Sequence, residues 1–270
     1  MSTTAGTAGA EDARLAVLDP ILDRQQAHAT LATELFEVVD LLGSDSALRR
    51  AVTDPGAAEE ARRGLVTGLL GRRISAEALA VVQDGVARRW QSAGTLLDAL
   101  ERQGIRAALA HAQAEGRLDR VEDELFRFGR TVAGDDTLRE GLTDRFRPAE
   151  TRRTLVDALL ADKVAPESLT LARRAVGFRE GGFDAAIDLD LELAAAQRLR
   201  VLATVRVARP LSADQTERLA RVLGAQLGHP VRMLVVVDPQ VLGGVRVEVG
   251  NEVIDGTVAG RLAEARMLFS

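Results

Sequence analysis

The C-terminal segment from His229 to Phe269 carries the clearest structural pattern of the chain and reads HPVRMLVVVDPQVLGGVRVEVGNEVIDGTVAGRLAEARMLF. Its β-branched run Arg232–Val237 predicts a strand that ends at Asp238, because the following proline cannot continue a central strand. The alternation in Val245–Val249 predicts another strand with one buried face, and Gly250-Asn251 predicts a tight turn into its hairpin partner. The segment is therefore predicted to form a strand, a β-hairpin and a final helix.

Upstream of this segment, apolar residues recur at spacings of three and four, which is typical of amphipathic helices. Residues 44–86 align with residues 134–176 without a gap, at a constant offset of 90, and 15 of the 43 aligned positions carry the same residue. Amphipathic periodicity alone would not keep this register across two loops, so the sequence predicts a duplicated helical domain. The predicted fold class is mostly α, with a duplicated helical bundle domain followed by a small α/β C-terminal domain.

Composition and motif content argue against several classes of function. The net charge of −5 and the interleaving of arginines with acids do not fit a nucleic-acid binder, and there is no cysteine to form disulfides or act as a nucleophile. No apolar run approaches the roughly 20 residues that span a bilayer, so no direct membrane insertion is predicted. His28, His111 and His229 lack metal-ligand spacing. We therefore predict no catalytic, cofactor-binding or metal-binding residues.

Three features leave two interpretations open. The pair Gly243-Gly244 resembles a phosphate cradle, but a strand and not a helix follows it, which favours a turn. The Arg-Arg pairs at 62–63 and 152–153 occur in both copies and are either partner-binding or simply solvated among acids. Trp90 packs as a hinge between the copies or serves as an interface anchor.

The C-terminal pattern V-D-P-x-V-L-G-G-V-R-V-x-V-G, followed by V-I-D-G-T-V-x-G-R-L, resembles the signature of F-type ATP synthase delta subunits, relatives of the oligomycin-sensitivity-conferring protein. The match is dense over Val235–Leu262, and a less specific match covers Gly116–Phe128. The signature positions with structural reasons to recur are Asp238, Gly243, Gly244, Gly250, Asp255, Gly256 and Arg261.

The resemblance implies a domain layout. A six-helix domain of the delta type would occupy residues 92–199, and a small α/β domain residues 200–270. Residues 1–91 would then be an extra, duplicated helical domain, as in the longer delta form of high-GC Gram-positive bacteria.

The resemblance also implies a function, that of a non-catalytic stator subunit at the cytoplasmic face of the bacterial cell membrane. The helical domain would bind N-terminal helices of the ATP synthase alpha subunits, and the C-terminal domain a b-type peripheral stalk subunit. A groove between the first and fifth helices of the bundle would supply the contacts, from Leu97, Ile105, Leu169, Ala172 and Val176. The alternative is a helical adaptor or scaffold protein of another multi-protein complex.

Overall fold

The computed structural model describes residues 13–144, 146–177, 182–198, 201–227, 231–238, 241, 244–249 and 252–255. The chain divides into two compact units, residues 1–197 and residues 198–270. The first is helical, and the described residues of the second form a helix and a sheet. The predicted fold class is confirmed.

The first unit is built from helices joined by short loops. After a 3₁₀ turn at Ala16–Leu18, Pro20 lies in the first turn of the first helix, where its missing amide costs no hydrogen bond. The helices are α1 Asp19–Asp23, α2 Leu31–Ser44, α3 Ser46–Thr53, α4 Glu59–Leu70, α5 Ala76–Ala87, α6 Ala93–Ala114, α7 Leu118–Ala133, α8 Asp136–Thr143, α9 Ala149–Leu160, α10 Pro166–Ala175 and α11 Gly182–Arg198.

The predicted repeat recurs in the local contacts as well as in the helices. Asp45 caps α3 by accepting from the backbone amides of Ala47 and Leu48. Asp135 caps α8 by accepting from the backbone amide of Leu138. The guanidinium of Arg62 donates to the carbonyls of Ala87 and Arg88 at the end of α5, and that of Arg152 donates to the carbonyl of Val176 at the end of α10. These arginines therefore hold the ends of equivalent helices, a contact that neither interpretation of the Arg-Arg pairs had included, and a role in partner binding stays a prediction.

The repeat extends further towards the N-terminus than the aligned residues 44–86, and the triplet Glu34–Phe36 recurs unchanged at residues 124–126. Glu34 on α2 accepts from the backbone amide of Ser75 at 2.9 Å, and Glu124 on α7 accepts from that of Ala165 at 2.8 Å, again 90 residues apart. Burial alone would raise the pKa of each carboxyl, but hydrogen bonds from the serine hydroxyls and these amides outweigh it and lower both. Helices α2 and α7 are therefore counterparts.

Both copies contribute to one hydrophobic core. Helix α2 packs against α6 so closely that a Cβ added at Gly104 would lie 2.4 Å from Cε1 of Phe36. The domain boundary placed near residue 92 stays a prediction, since the two copies lie within the same compact unit.

Two helix ends differ from what the sequence pattern predicts. The apolar spacing predicts a helix over Ala76–Trp90, but α5 ends at Ala87, and the indole Nε1 of Trp90 donates to the carbonyl of Gly85 at 2.7 Å. Trp90 is half-buried against the helical core, which fits the packing interpretation of this residue. Pro148 precedes α9 as its N-cap and does not lie in the first turn.

The second unit contains β1 Val201–Val207, α12 Ala213–Leu227, β2 Val231–Val237, β3 Val245–Val249 and β4 Glu252–Asp255. The strand order is β2-β1-β3-β4. Strands β1 and β2 are parallel, which requires a crossover, and α12 supplies it; β3 pairs antiparallel with both β1 and β4. The core beneath the sheet is formed by Val205, Val207, Leu223 and Val247. The predicted hairpin strands are confirmed, and the predicted final helix lies outside the described residues.

The close approach of α2 and α6 gives a test of this packing. We expect Gly104→Ala to lower the free energy of unfolding by about 1–3 kcal/mol, because the new methyl group forces the Phe36 ring or the helix aside. The matched control is Gly64→Ala on exposed helical surface, where no atom lies within 4 Å of an added Cβ.

This control should gain roughly 0.5–1 kcal/mol from helix propensity alone. Urea unfolding followed by far-UV circular dichroism measures both variants. Equal and stabilising effects at the two glycines would contradict the close packing of α2 on α6.

Candidate functional site

The central helix α6 is the element on which both copies meet. Ser92 caps it by accepting from the amide of Thr95, and every residue from Ala99 to Ala110 is buried. Buried charged side chains must be paired, because an isolated charge in the interior is costly. The contacts of the polar residues on α6 therefore show what this helix holds together.

One face of α6 holds α1 through a buried ion-pair cluster. Arg106 lies 2.9 Å from a carboxylate oxygen of Asp19 and 2.6 Å from one of Asp23. Arg102 also pairs with Asp19 at 3.3 Å, and the amide group of Gln103 donates to the same carboxylate at 2.9 Å. The cluster fixes the N-terminal helix on α6 by charge-assisted hydrogen bonds.

Another face of α6 joins the first copy to the second, at a contact that we call the seam. Arg174 on α10 donates to Glu101 on α6 at 2.6 Å and to Asp40 on α2 at 2.6 Å. Its guanidinium carbon also lies 4.9 Å from the centroid of the Phe36 ring, a cation–π geometry. Burial alone would lower the pKa of Arg174, but the two carboxylates outweigh it and raise the pKa. One side chain thus links three helices.

Asp190 on α11 is a buried acid close to this network. It is 3% exposed, and burial, reinforced by the negative charge of Glu101, raises its pKa well above the ordinary aspartate value. A carboxyl whose pKa is raised by folding favours the folded state when it is protonated. Its contribution to stability is therefore full at low pH and is lost as the pH rises through the folded-state pKa.

A third charged cluster lies at the C-terminal end of α6. Nδ1 of His111 lies 2.7 Å from Oε1 of Glu167, and Arg117 donates to the same oxygen at 2.6 Å. Burial alone would raise the pKa of Glu167, but the hydrogen bonds from Arg117, its own backbone amide and His111 outweigh it and lower the pKa. His111 is thus engaged in a helix–helix contact. Among the described residues no group of histidines and acids has the arrangement of a metal site.

The predicted partner-contact residues lie mostly inside the core. Leu97, Ile105, Ala172 and Val176 are each at most 3% exposed, whereas Leu169 is half-buried at the edge of the core. The spacing of three and four that predicted a docking stripe is the same spacing that fills a core, and sequence alone does not separate the two uses. Their role in partner binding stays a prediction.

Two cavities of the helical unit were not anticipated from the sequence. The larger, about 740 Å³, opens at the seam and is lined by Val39, Asp40, Gly43, Arg49, Gly94, Leu97, Arg153, Arg174 and Gly177. The smaller, about 310 Å³, is more apolar and lies among α7, α8 and α9, with Phe128, Leu138, Leu159 and Leu160 in its wall. Both depend on contacts between distant segments, which no local sequence pattern records.

The sequence of this chain matches a known protein family. The family model described as ATP synthase delta (OSCP) subunit matches residues 105–268. The chain is 45% identical over 250 residues to the ATP synthase subunit delta of Beutenbergia cavernae, covering 92% of each chain. The chain belongs to the ATP synthase delta (OSCP) subunit family. The resemblance found in the C-terminal signature is confirmed.

Two further delta subunits are similar to this chain to the same degree. The ATP synthase subunit delta of Parafrankia sp. is 45% identical over 237 residues, which cover 87% of this chain and 85% of that protein. That of Rhodococcus opacus is 45% identical over 241 residues, which cover 89% and 87%. These alignments are longer than residues 92–270, so they extend into the first helical copy. A solved chain from the Toxoplasma gondii mitochondrial ATP synthase hexamer covers 61% of this chain, but its 17% identity and TM-score of 0.27 carry no structural argument.

Three signature residues, Asp238, Gly244 and Asp255, are described, and they lie beside or at the ends of strands of the second unit. Asp238 follows β2, and its backbone amide donates to the carbonyl of Val207 at 2.8 Å. Gly244 has φ of +84°, a conformation that suits glycine, which supports the turn interpretation of this position. Asp255 ends β4 in register with Arg246. Gly243, Gly250, Gly256 and Arg261 lie outside the described residues. No helix of the described residues is long and apolar enough to cross a membrane.

The buried acid gives a pH-dependent prediction. We expect Asp190→Asn to raise the free energy of unfolding by about 1–3 kcal/mol at about pH 8, because it removes a carboxylate that burial and Glu101 disfavour. At about pH 5 the gain should be smaller, because more of the wild-type acid is then protonated.

Urea unfolding at the two pH values measures the difference in the free energy of unfolding between variant and wild type. The opposite pH dependence of Glu34, Glu124 and Glu167 cancels from this difference, because both proteins contain these residues. Asp188→Asn, at an exposed position on the same helix, is the matched control and should change little. A gain that is independent of pH would contradict the assignment.

Proposed function

We propose that this chain is a non-catalytic stator subunit of an F-type ATP synthase, which clamps the catalytic head to the peripheral stalk so that rotation is coupled to proton flow and ATP synthesis. The observation that carries the proposal is the 45% identity to a protein named ATP synthase subunit delta over 92% of both chains. The chain would act at the cytoplasmic face of the bacterial cell membrane, as a peripheral part of the complex.

The packing of the helical unit supports a mechanical role. A subunit that resists torque has to transmit force without separating its own parts, which requires a continuous core and contacts between distant segments. Here both copies share one core, and Arg174 ties α10 to α6 by a buried ion pair with Glu101 and to α2 by a more exposed one with Asp40. The carboxyls with lowered pKa values, Glu34, Glu124 and Glu167, all bridge separate helices.

The partners in this proposal are the N-terminal helices of the alpha subunits for the helical unit and a b-type stalk subunit for the α/β unit. An amphipathic helix docks through apolar anchors that remain accessible. Of the five residues predicted to contact the alpha subunits, Leu169 is the one that is not fully buried. We therefore assign the contact to the outer edge of α10, with the other four residues buried in the core on α6 and α10.

The first copy offers the same edge a second time. Leu79 on α5 is the counterpart of Leu169 at the offset of 90 and is likewise half-buried. We propose that the extra copy grips the head or the stalk at another place and stiffens the joint. Deletion of residues 10–90 would not test this, because α2 covers α6 and its loss would expose the shared core.

Membranes stripped of the native subunit test the proposed function. Addition of the purified chain should restore ATP-driven proton pumping and bring down both head and stalk subunits. A chain that binds neither would instead support the alternative of an adaptor in another complex.

Point variants test the docking edge. We expect Leu169→Glu to weaken the affinity for purified head by about tenfold or more, because a carboxylate replaces an apolar anchor. Leu79→Glu is the matched variant in the first copy, and its effect on the affinities for head and stalk shows which partner that copy grips.

Both variants must keep the melting temperature of the wild type to within a few degrees, since the two leucines also border the core. Unchanged affinity for head after Leu169→Glu would remove α10 as the docking edge. Unchanged affinity for both partners after Leu79→Glu would remove the second grip.

A further inference from the structure

The duplicated helices α2 and α7 have equivalent inner faces but different outer faces. Their inward residues are buried to a similar degree, at most 6% exposed, in the pairs Leu31 and Val121, Leu35 and Leu125, Val38 and Phe128, and Leu42 and Val132. On the outer face Phe36 is 6% exposed, whereas its counterpart Phe126 is 55% exposed. The difference has to come from what lies over each helix.

At the seam, α6 and α10 cover the outer face of α2. The ring of Phe36 lies against Gly104 and beneath the guanidinium of Arg174, and one turn later Asp40 pairs with the same guanidinium at 2.6 Å. Helix α10 therefore contacts the outer face of α2 through one arginine, which lies above the ring of Phe36 and pairs with the acid Asp40.

The same place on α7 lacks such a cover within the described residues. Helix α7 also packs inward on the helix that follows its copy, because the rings of Phe128 and Phe183 stack edge to face at 5.5 Å. However, in the described part of the chain α11 leads into the sheet of the second unit, and no third helical copy follows to supply the counterpart of α10. In a repeat architecture, such a last copy presents the face on which the next one would stack.

The repeat indicates which charge a helix would need in order to lie over the outer face of α7. The position equivalent to Asp40 is occupied by Arg130, an exposed residue whose guanidinium makes no ion pair with the described residues. Its neighbour Arg127 is already paired with Asp123. A helix lying over this face in the manner of α10 would therefore need an acid where α10 has Arg174, with apolar atoms beside it for the ring of Phe126.

We propose that Phe126 and Arg130 form a docking ridge for a helix of another subunit of the complex, one that carries a carboxylate beside an apolar side chain. The ring of Phe126 supplies the apolar anchor, and Arg130 selects the acid by a charge-assisted hydrogen bond. The choice of complex rests on the proposed function, whereas the chemistry of the partner helix rests on the repeat.

Photocrosslinking in the assembled complex tests the ridge. A photoreactive phenylalanine analogue is placed at position 126 of the full chain, which is assembled on membranes stripped of the native subunit, and the adducts are mapped by mass spectrometry. The expected adduct lies in a helical segment of a head or stalk subunit, next to an aspartate or glutamate. Arg130→Glu should lower the adduct yield by about tenfold, because it opposes that acid.

The same analogue at position 146, where Phe146 is 99% exposed on the loop after α8, is the matched control and should not give that adduct. Adducts confined to residues 198–270 of the same chain would show that this chain covers its own ridge, and they would overturn the proposal, as would the absence of any adduct. If the chain restores proton pumping without the expected adduct, only the ridge is refuted. If it binds neither head nor stalk, the proposed function fails first.

Discussion

The helical unit depends on one constraint, the complete burial of the middle of α6. A helix that is covered on all sides has to satisfy every polar side chain that it carries, and α6 carries Glu101, Arg102, Gln103 and Arg106 in its buried stretch. Glu101 reaches Arg174 on α10, whereas the other three side chains all reach α1. The partners of these four side chains therefore determine where α1 and α10 lie on α6. The duplicated parts are thus joined by sharing a helix as well as by touching across a surface.

This arrangement explains why charged groups hold the interior of a protein that has few aromatic residues. Small and aliphatic side chains allow helices to approach closely, as α2 and α6 do at Gly104, but they provide little directional preference. Ion pairs with fixed geometry add that preference, since removing one partner would leave the other charge buried. The arginines of α6 and α10 therefore specify the arrangement of helices that apolar packing alone would leave less well defined.

Sequence reasoning was most successful where the determinants are local. The period of two in Val245–Val249 gave the hairpin strand, and the constant offset of 90 gave the order of the helices in both copies. It was less informative on α6, because the charged residues in its middle were not expected inside a core. A helix shared by two copies needs two apolar faces and leaves no side for solvent. That requirement emerges only when the packing of α2 and α10 on the same helix is known.

The contact between Asp40 and Arg174 spans 134 residues of chain. During synthesis at about 5–20 residues per second, the ribosome therefore needs on the order of ten seconds to deliver the second residue after the first. Over that interval the ring of Phe36 can pack on Gly104 of α6 but lacks the guanidinium above it, and the face of α6 that α10 covers stays exposed. The half that is translated first thus depends on the second half for the burial of its apolar face. A chain stalled between the two halves would be a substrate for chaperones.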